Sequence, residues 1–85
     1  MPNDIVRELV VRAVQQAFDA WAIEHPSLSG VIDRIELTQQ AAESLRNSEA
    51  YRAAVEAYHR SRGELDLLNR LLDLAAPAIA GIVGM

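Results

Sequence analysis

The stretch from Glu64 to Met85 constrains the fold more than any other part of the chain. It is leucine-rich up to Leu74, and no residue after Asp73 carries a charged side chain. Leu65, Leu68, Leu72, Ala75, Ile79 and Ile82 recur at spacings of three and four, which stacks them on one side of a helix. Leu67, Leu71, Leu74 and Ala78 widen that stripe well beyond a two-position seam. An apolar arc this broad has to be covered, either by the chain's own helices or by a second molecule. Leu65, Leu68, Leu72, Ala75, Ile79 and Ile82 are therefore the candidate interface residues.

The means of covering it are limited. Eighty-five residues make one small domain, and a monomer of that size buries roughly 60–65% of the surface its unfolded chain exposes. With no cysteine there is no disulfide and no thiolate zinc site to reinforce a thin core. Hydrophobic residues are 51% of the chain, but Phe18, Trp21, Tyr51 and Tyr58 are its only aromatics. Packing falls to aliphatic side chains and alanine, which suits close approach of helices and completion of the core by pairing.

The first helix is expected over about 4–25, capped by Asn3 or Asp4. Val6, Leu9, Val10, Ala13, Val14, Ala17, Ala20 and Trp21 share one face at 100° per residue, and Val11, Phe18 and Ala22 broaden it. His25-Pro26 ends it, because the residue before a proline is pushed out of the helical region. After the turn His25–Gly30, a second helix is expected over 29–46, beginning at Ser27 or Ser29, with Ile32, Ile35, Ala42 and Leu45 as its stripe. The stripe changes phase at Arg46–Glu49, where Asn47 or Ser48 can cap a third helix over 48–62; one bent helix over 29–62 is the alternative. Gly63 reads as a C-terminal cap. A fourth helix runs over 64–76 until Pro77, which costs about 3 kcal/mol inside a helix, and a short apolar extension covers 77–83. The expected core is Val6, Val10, Val14, Phe18, Trp21, Ile32, Ile35, Leu45, Val55, Tyr58, Leu65, Leu68, Leu72 and Ile79.

Candidate chemistry is sparse. Glu56-Ala57-Tyr58-His59 is a Glu-x-x-His pair of the kind that di-metal carboxylate bundles use. A second pair is missing, so Glu36, Glu43 or Glu49 of a second copy would have to complete it. Glu56 and His59 also point away from the stripe of Tyr51, Ala54, Val55 and Tyr58, as a solvated face does. His25 beside Glu24 sits in a turn without a nucleophile at triad spacing. The glycines form no phosphate loop. Tyr58-His59-Arg60-Ser61-Arg62 with Arg52 is a basic cluster, flanked by Glu49, Glu56 and Glu64, and Glu49, Arg52 and Glu56 are spaced for helix-surface ion pairs. A net charge of −4, with all eight cations arginine, opposes non-specific nucleic-acid binding.

These observations point to an all-α fold, a small bundle of three or four helices completed by homo-oligomerisation. They point to a non-enzymatic interaction module (scaffold, adaptor or inhibitor) that self-associates through its apolar C-terminal helix and uses no metal or cofactor. In composition alone it is similar to small acidic helical proteins of phages and mobile elements. The alternative is a peripheral membrane protein docking through residues 64–85; the remote one is a di-metal site formed across a dimer. The uncharged run 74–85 is about 18 Å long as a helix, too short to span a bilayer. No basic segment followed by an apolar one opens the chain, so the expected location is the cytoplasm.

Overall fold

The computed structural model describes residues 2–83, with side chains from Ile5 to Val83. Within that range the protein is entirely helical: α1 Pro2–Glu24, α2 Pro26–Ser29, α3 Arg34–Arg46, α4 Glu49–Ser61 and α5 Glu64–Ile82. The cap expected from Asn3 or Asp4 lies outside the described side chains. In α1, Val6, Leu9, Val10, Ala13, Val14, Ala17 and Phe18 are buried, alternating steps of three and one. Ala20, expected on that face, is exposed. The helix stops at Glu24 because His25 precedes Pro26 and takes a non-helical φ of −134°.

The next segment departs from expectation. Instead of one helix over 29–46, there is a four-residue turn of helix, a bend through Gly30–Ile32, and a start at Arg34. Asp33 is the cap, its carboxylate accepting from the N–H groups of Ile35 (3.0 Å) and Glu36 (3.3 Å). Gly30 and the β-branched pair Val31-Ile32 are weak helix formers beside a strong N-cap. At 100° per residue the inward arc of α3 is centred near Ala41 and Leu45, about 100° around the helix from Ile35. Leu37, Ala41, Ala42 and Leu45 face inward, whereas Ile35, expected in the core, is 72% exposed.

Between α3 and α4 the chain breaks rather than bends. Asn47 closes α3, and Ser48 is extended at ψ 148°, its hydroxyl accepting from the Tyr51 N–H at 3.0 Å. Arg62, not Gly63, occupies the left-handed position that ends α4, with φ 54°. Gly63 instead precedes α5 as its N-cap. The expected division of α5 at Pro77 is also replaced by one helix through Ile82. Pro77 is exposed, while Ala75 and Ile79 on either side of it have no accessible surface. Burying that side offsets the backbone bond that Pro77 removes.

The helices form three legs of a bundle measuring 42 × 20 × 20 Å. Ile5, early in α1, shares a recess with Tyr58, His59 and Arg62 at the end of α4. Trp21, late in α1, shares grooves with Leu72, Ala76 and Ile82. Helices α1 and α5 therefore run in the same direction. Arg34 at the start of α3 reaches Asp19 near the end of α1, so α3 and α4 together form the returning leg.

Helix α5 packs against α1, α3 and α4, and this fixes which leucines are inside. Leu67, Leu71, Ala75 and Ile79, each one turn from the next, are fully covered. Leu65, expected in the core, is 70% exposed. Leu68 and Leu72 are half-buried flanks, as are Trp21, Ile32, Val55 and Tyr58 around the rest of the core. Ala13, Ala41, Ala42, Ala54 and Ala75 are all buried, and these short side chains let the legs approach closely.

Candidate interaction surfaces

The six residues of the expected interface separate into two groups. Ala75 and Ile79 are spent inside the chain's own core, and Ile82 is half-buried against it. Leu65, Leu68 and Leu72 lie along the outer flank of α5. That flank continues into a groove of about 500 Å³ between α1 and α5, lined by Gln16, Ala17, Ala20, Trp21, Glu24, Leu72 and Ala76. Its alanines leave room for a side chain from a second helix. For the membrane alternative, the apolar centre of α5 is turned inward, and Gly84 and Met85 lie outside the described residues. No helix among the described residues is long and apolar enough to cross a membrane.

Glu56 and His59 are both exposed on α4. Among the described residues no group of three or more His, Asp or Glu side chains is placed to hold a metal ion. His25 has a structural place: its ring stacks on Trp21 with centroids 4.8 Å apart, and Trp21 in turn stacks on Phe18 at 5.7 Å. Its Nδ1 lies 3.1 Å from the Trp21 carbonyl oxygen. Arg34 sits 5.1 Å above the Phe18 ring and pairs with Asp19, tying α3 to α1. Arg62 and His59 of the basic cluster edge a small recess of about 140 Å³ with Ile5 and Tyr58.

The feature that sequence reasoning missed is the end of the bundle where α1 finishes and α3 starts. Ile23 is 81% exposed, Val31 80% and Ile35 72%, with Leu28 at 45%. Of these only Leu28 enters a groove of about 280 Å³, its apolar wall made by Trp21, Leu28, Ile32, Leu37, Ile82 and Val83, with Asp33, Glu36 and Gln40 along its edge. A signal existed in the chain. Leu28 and Val31 fall in the connection from α1 to α3, where turn chemistry favours polar side chains, and neither belongs to a helical stripe.

The ends of the helices give this pole its charge. Neither α1 nor α5 carries a basic residue in its last turn, so no lysine or arginine offsets the negative end of either dipole, and that of α1 is met by the His25 ring, whose Nδ1 lies 3.1 Å from the Trp21 carbonyl oxygen. The positive end of α3 also lies here, but Asp33 and Glu36 offset it. Asp19, Glu24, Asp33 and Glu36 are the carboxylates of this region, and Arg34, already bound to Asp19, is its arginine. The result is an apolar groove in a negative setting. No protein-family model, curated protein or solved structure matches this chain.

Proposed function

We propose that this chain is a non-catalytic helical interaction module of the cytoplasm, a scaffold, adaptor or inhibitor that also self-associates. The observation that carries the reading is the apolar surface left over once the core is closed: Leu65, Leu68 and Leu72 on the outer flank of α5, of which Leu72 enters the α1–α5 groove, and Ile23, Val31 and Ile35 at the pole. The accessible surface, 5576 Å², exceeds the roughly 5,000 Å² of a typical folded monomer of this mass. A stable dimer covers about 800 Å² per partner. The outer flank of α5 from Leu65 to Ala76 is about 17 Å long, so an association through it falls below that size and is weak. Self-association is assigned to this flank rather than to the whole stripe, because Ala75 and Ile79 are already covered.

Light scattering over a concentration series tests the proposal. The expected mass exceeds 9.4 kDa and rises with concentration up to about 1 mM, where even contacts of about 4 kcal/mol are populated. Leu65→Gln, at an exposed site, is expected to return the particle to monomer mass with an unchanged melting curve. A wild-type mass of 9.4 kDa throughout the series refutes self-association.

A further inference from the structure

The groove at the acidic pole has a wall, an edge and a field that together define one kind of occupant. Trp21, Leu28, Ile32 and Ile82 offer an apolar surface, and about 280 Å³ accommodates two aliphatic side chains. Asp33 and Glu36 stand on the edge. Helix α5 ends at this groove, with Ile82 and Val83 in its wall and no basic residue in its last turn. The carbonyl ends of α1 and α5 add negative potential to that of Glu24 and Glu36, while Asp33 caps the positive end of α3. Arg34 does not neutralise it, since its guanidinium is engaged by Asp19 and lies over Phe18.

We infer that this groove docks a cationic amphipathic helix of another protein, with aliphatic residues one turn apart entering the groove and Lys or Arg flanking them. Helix-in-groove recognition needs apolar anchors spaced i, i+3 or i+4, and the flanking charges set orientation and specificity. A second copy of this chain fits less well. Its exposed arginines on α4 are interleaved with Glu49 and Glu56, and α4's apolar side faces its own core through Ala54, Val55 and Tyr58. The inference rests on reading the chain as an interaction module. This groove shares Trp21 with the groove beside the α5 flank but not Leu28 or Leu65, so the Leu28→Asp and Leu65→Gln variants let the two fail separately.

Trp21, the only tryptophan, lines both this groove and the α1–α5 groove, so its emission reports a ligand at either, and Leu28, which lines this groove alone, tells them apart. The probes are two synthetic helical peptides with the same leucine pattern, one carrying lysine and the other glutamate at the polar positions. At low protein concentration, the Leu/Lys peptide is expected to shift Trp21 emission saturably at one peptide per chain, at least tenfold more tightly than the Leu/Glu peptide. Leu28→Asp, at a half-exposed turn position, should weaken binding tenfold or more, and Glu36→Lys severalfold. Raising salt from 0.05 to 0.3 M should weaken it severalfold, as screening of exposed charges requires. Equal affinity for the two peptides overturns the inference. So does unchanged Leu/Lys binding by the Leu28→Asp variant, which would mark diffuse attraction to an acidic protein. A Trp21 shift on concentrating the protein alone, abolished by Leu28→Asp, would assign the groove to a second copy and overturn it as well.

Discussion

Two leucines on the same helix distinguish the observed packing of α5 from the one its stripe first implies. Leu65 and Leu71 are six positions apart, about 240° around the helix axis, and both become alanine with the same change in helix propensity. Leu71 has no accessible surface. Truncating a leucine in such a site costs about 2–5 kcal/mol, the lost transfer energy plus the cavity left behind. The whole domain is stable by roughly 4–13 kcal/mol at the usual figure per residue, so a loss near 3.5 kcal/mol takes a large share of it. At about 4–8 °C per kcal/mol for a domain of this size, Leu71→Ala is expected to lower Tm by about 15–25 °C. Leu65 keeps 70% of its surface in water. The buried remainder contributes about 0.5–0.8 kcal/mol, part of which the better helix propensity of alanine returns. Leu65→Ala should therefore shift Tm by no more than a few degrees. Urea unfolding followed by circular dichroism at low micromolar concentration measures both without a contribution from weak association. A Leu65→Ala cost of 2 kcal/mol or more, or a Leu71→Ala cost below 1, would refute the assigned rotation of α5.

Arg62 ends α4 at φ 54°, a conformation that glycine adopts without the Cβ clash; Arg62→Gly should raise stability by about 0.5–1 kcal/mol, and a lower urea midpoint would contradict the left-handed cap. Gly81 lies within α5, where an added Cβ meets nothing within 4 Å; Gly81→Ala should stabilise by about 0.5 kcal/mol, less than a mid-helix site because the end is one residue away. A destabilised Gly81→Ala variant would mean that this side of α5 is occupied.

What was legible in the sequence and what was not divide along physical lines. Helix α1 could be read almost residue by residue, because its buried positions alternate steps of three and one and its polar side carries Arg7, Glu8, Arg12 and Gln15. Helix α5 could be recognised but not rotated. Its apolar residues form two interleaved rows, Leu65-Leu68-Leu72 and Leu67-Leu71-Ala75, and both satisfy helical spacing. The choice between them is made by α1, α3 and α4, which surround the second row. Ile35 was misplaced because Ala42, nearly in phase with it, sits at the edge of the buried arc, whose centre near Ala41 and Leu45 is about 100° away. The passage of α5 through Pro77 was illegible for a related reason. The local cost is written at Pro77, whereas the offsetting burial of Ile79 is a property of the assembled bundle. The candidate surfaces were legible only in part: the α5 flank shows as leucine, but the pole is built from residues that look unremarkable until the turn at Gly30–Asp33 brings them to one end.

A bundle of long legs buries its sides and leaves its ends to the connecting segments. The connection from α1 to α3 is a single turn of helix and a bend, too little chain to lay apolar side chains over the end of a 20 Å wide bundle. A fold selected for solitary stability has an inexpensive remedy here. A lysine or arginine at position 23 or 31 would remove an exposed hydrophobe, and at 23 it would also compensate the dipole of α1, by about 0.3–1 kcal/mol. The chain instead places Ile23 and Val31 in water and leaves the last turns of α1 and α5 without a cation. Each choice forgoes stability in the isolated chain. The two concessions coincide at one pole, beside the groove that Trp21 lines, and that is the arrangement expected where apolar surface and negative potential serve a partner rather than the fold.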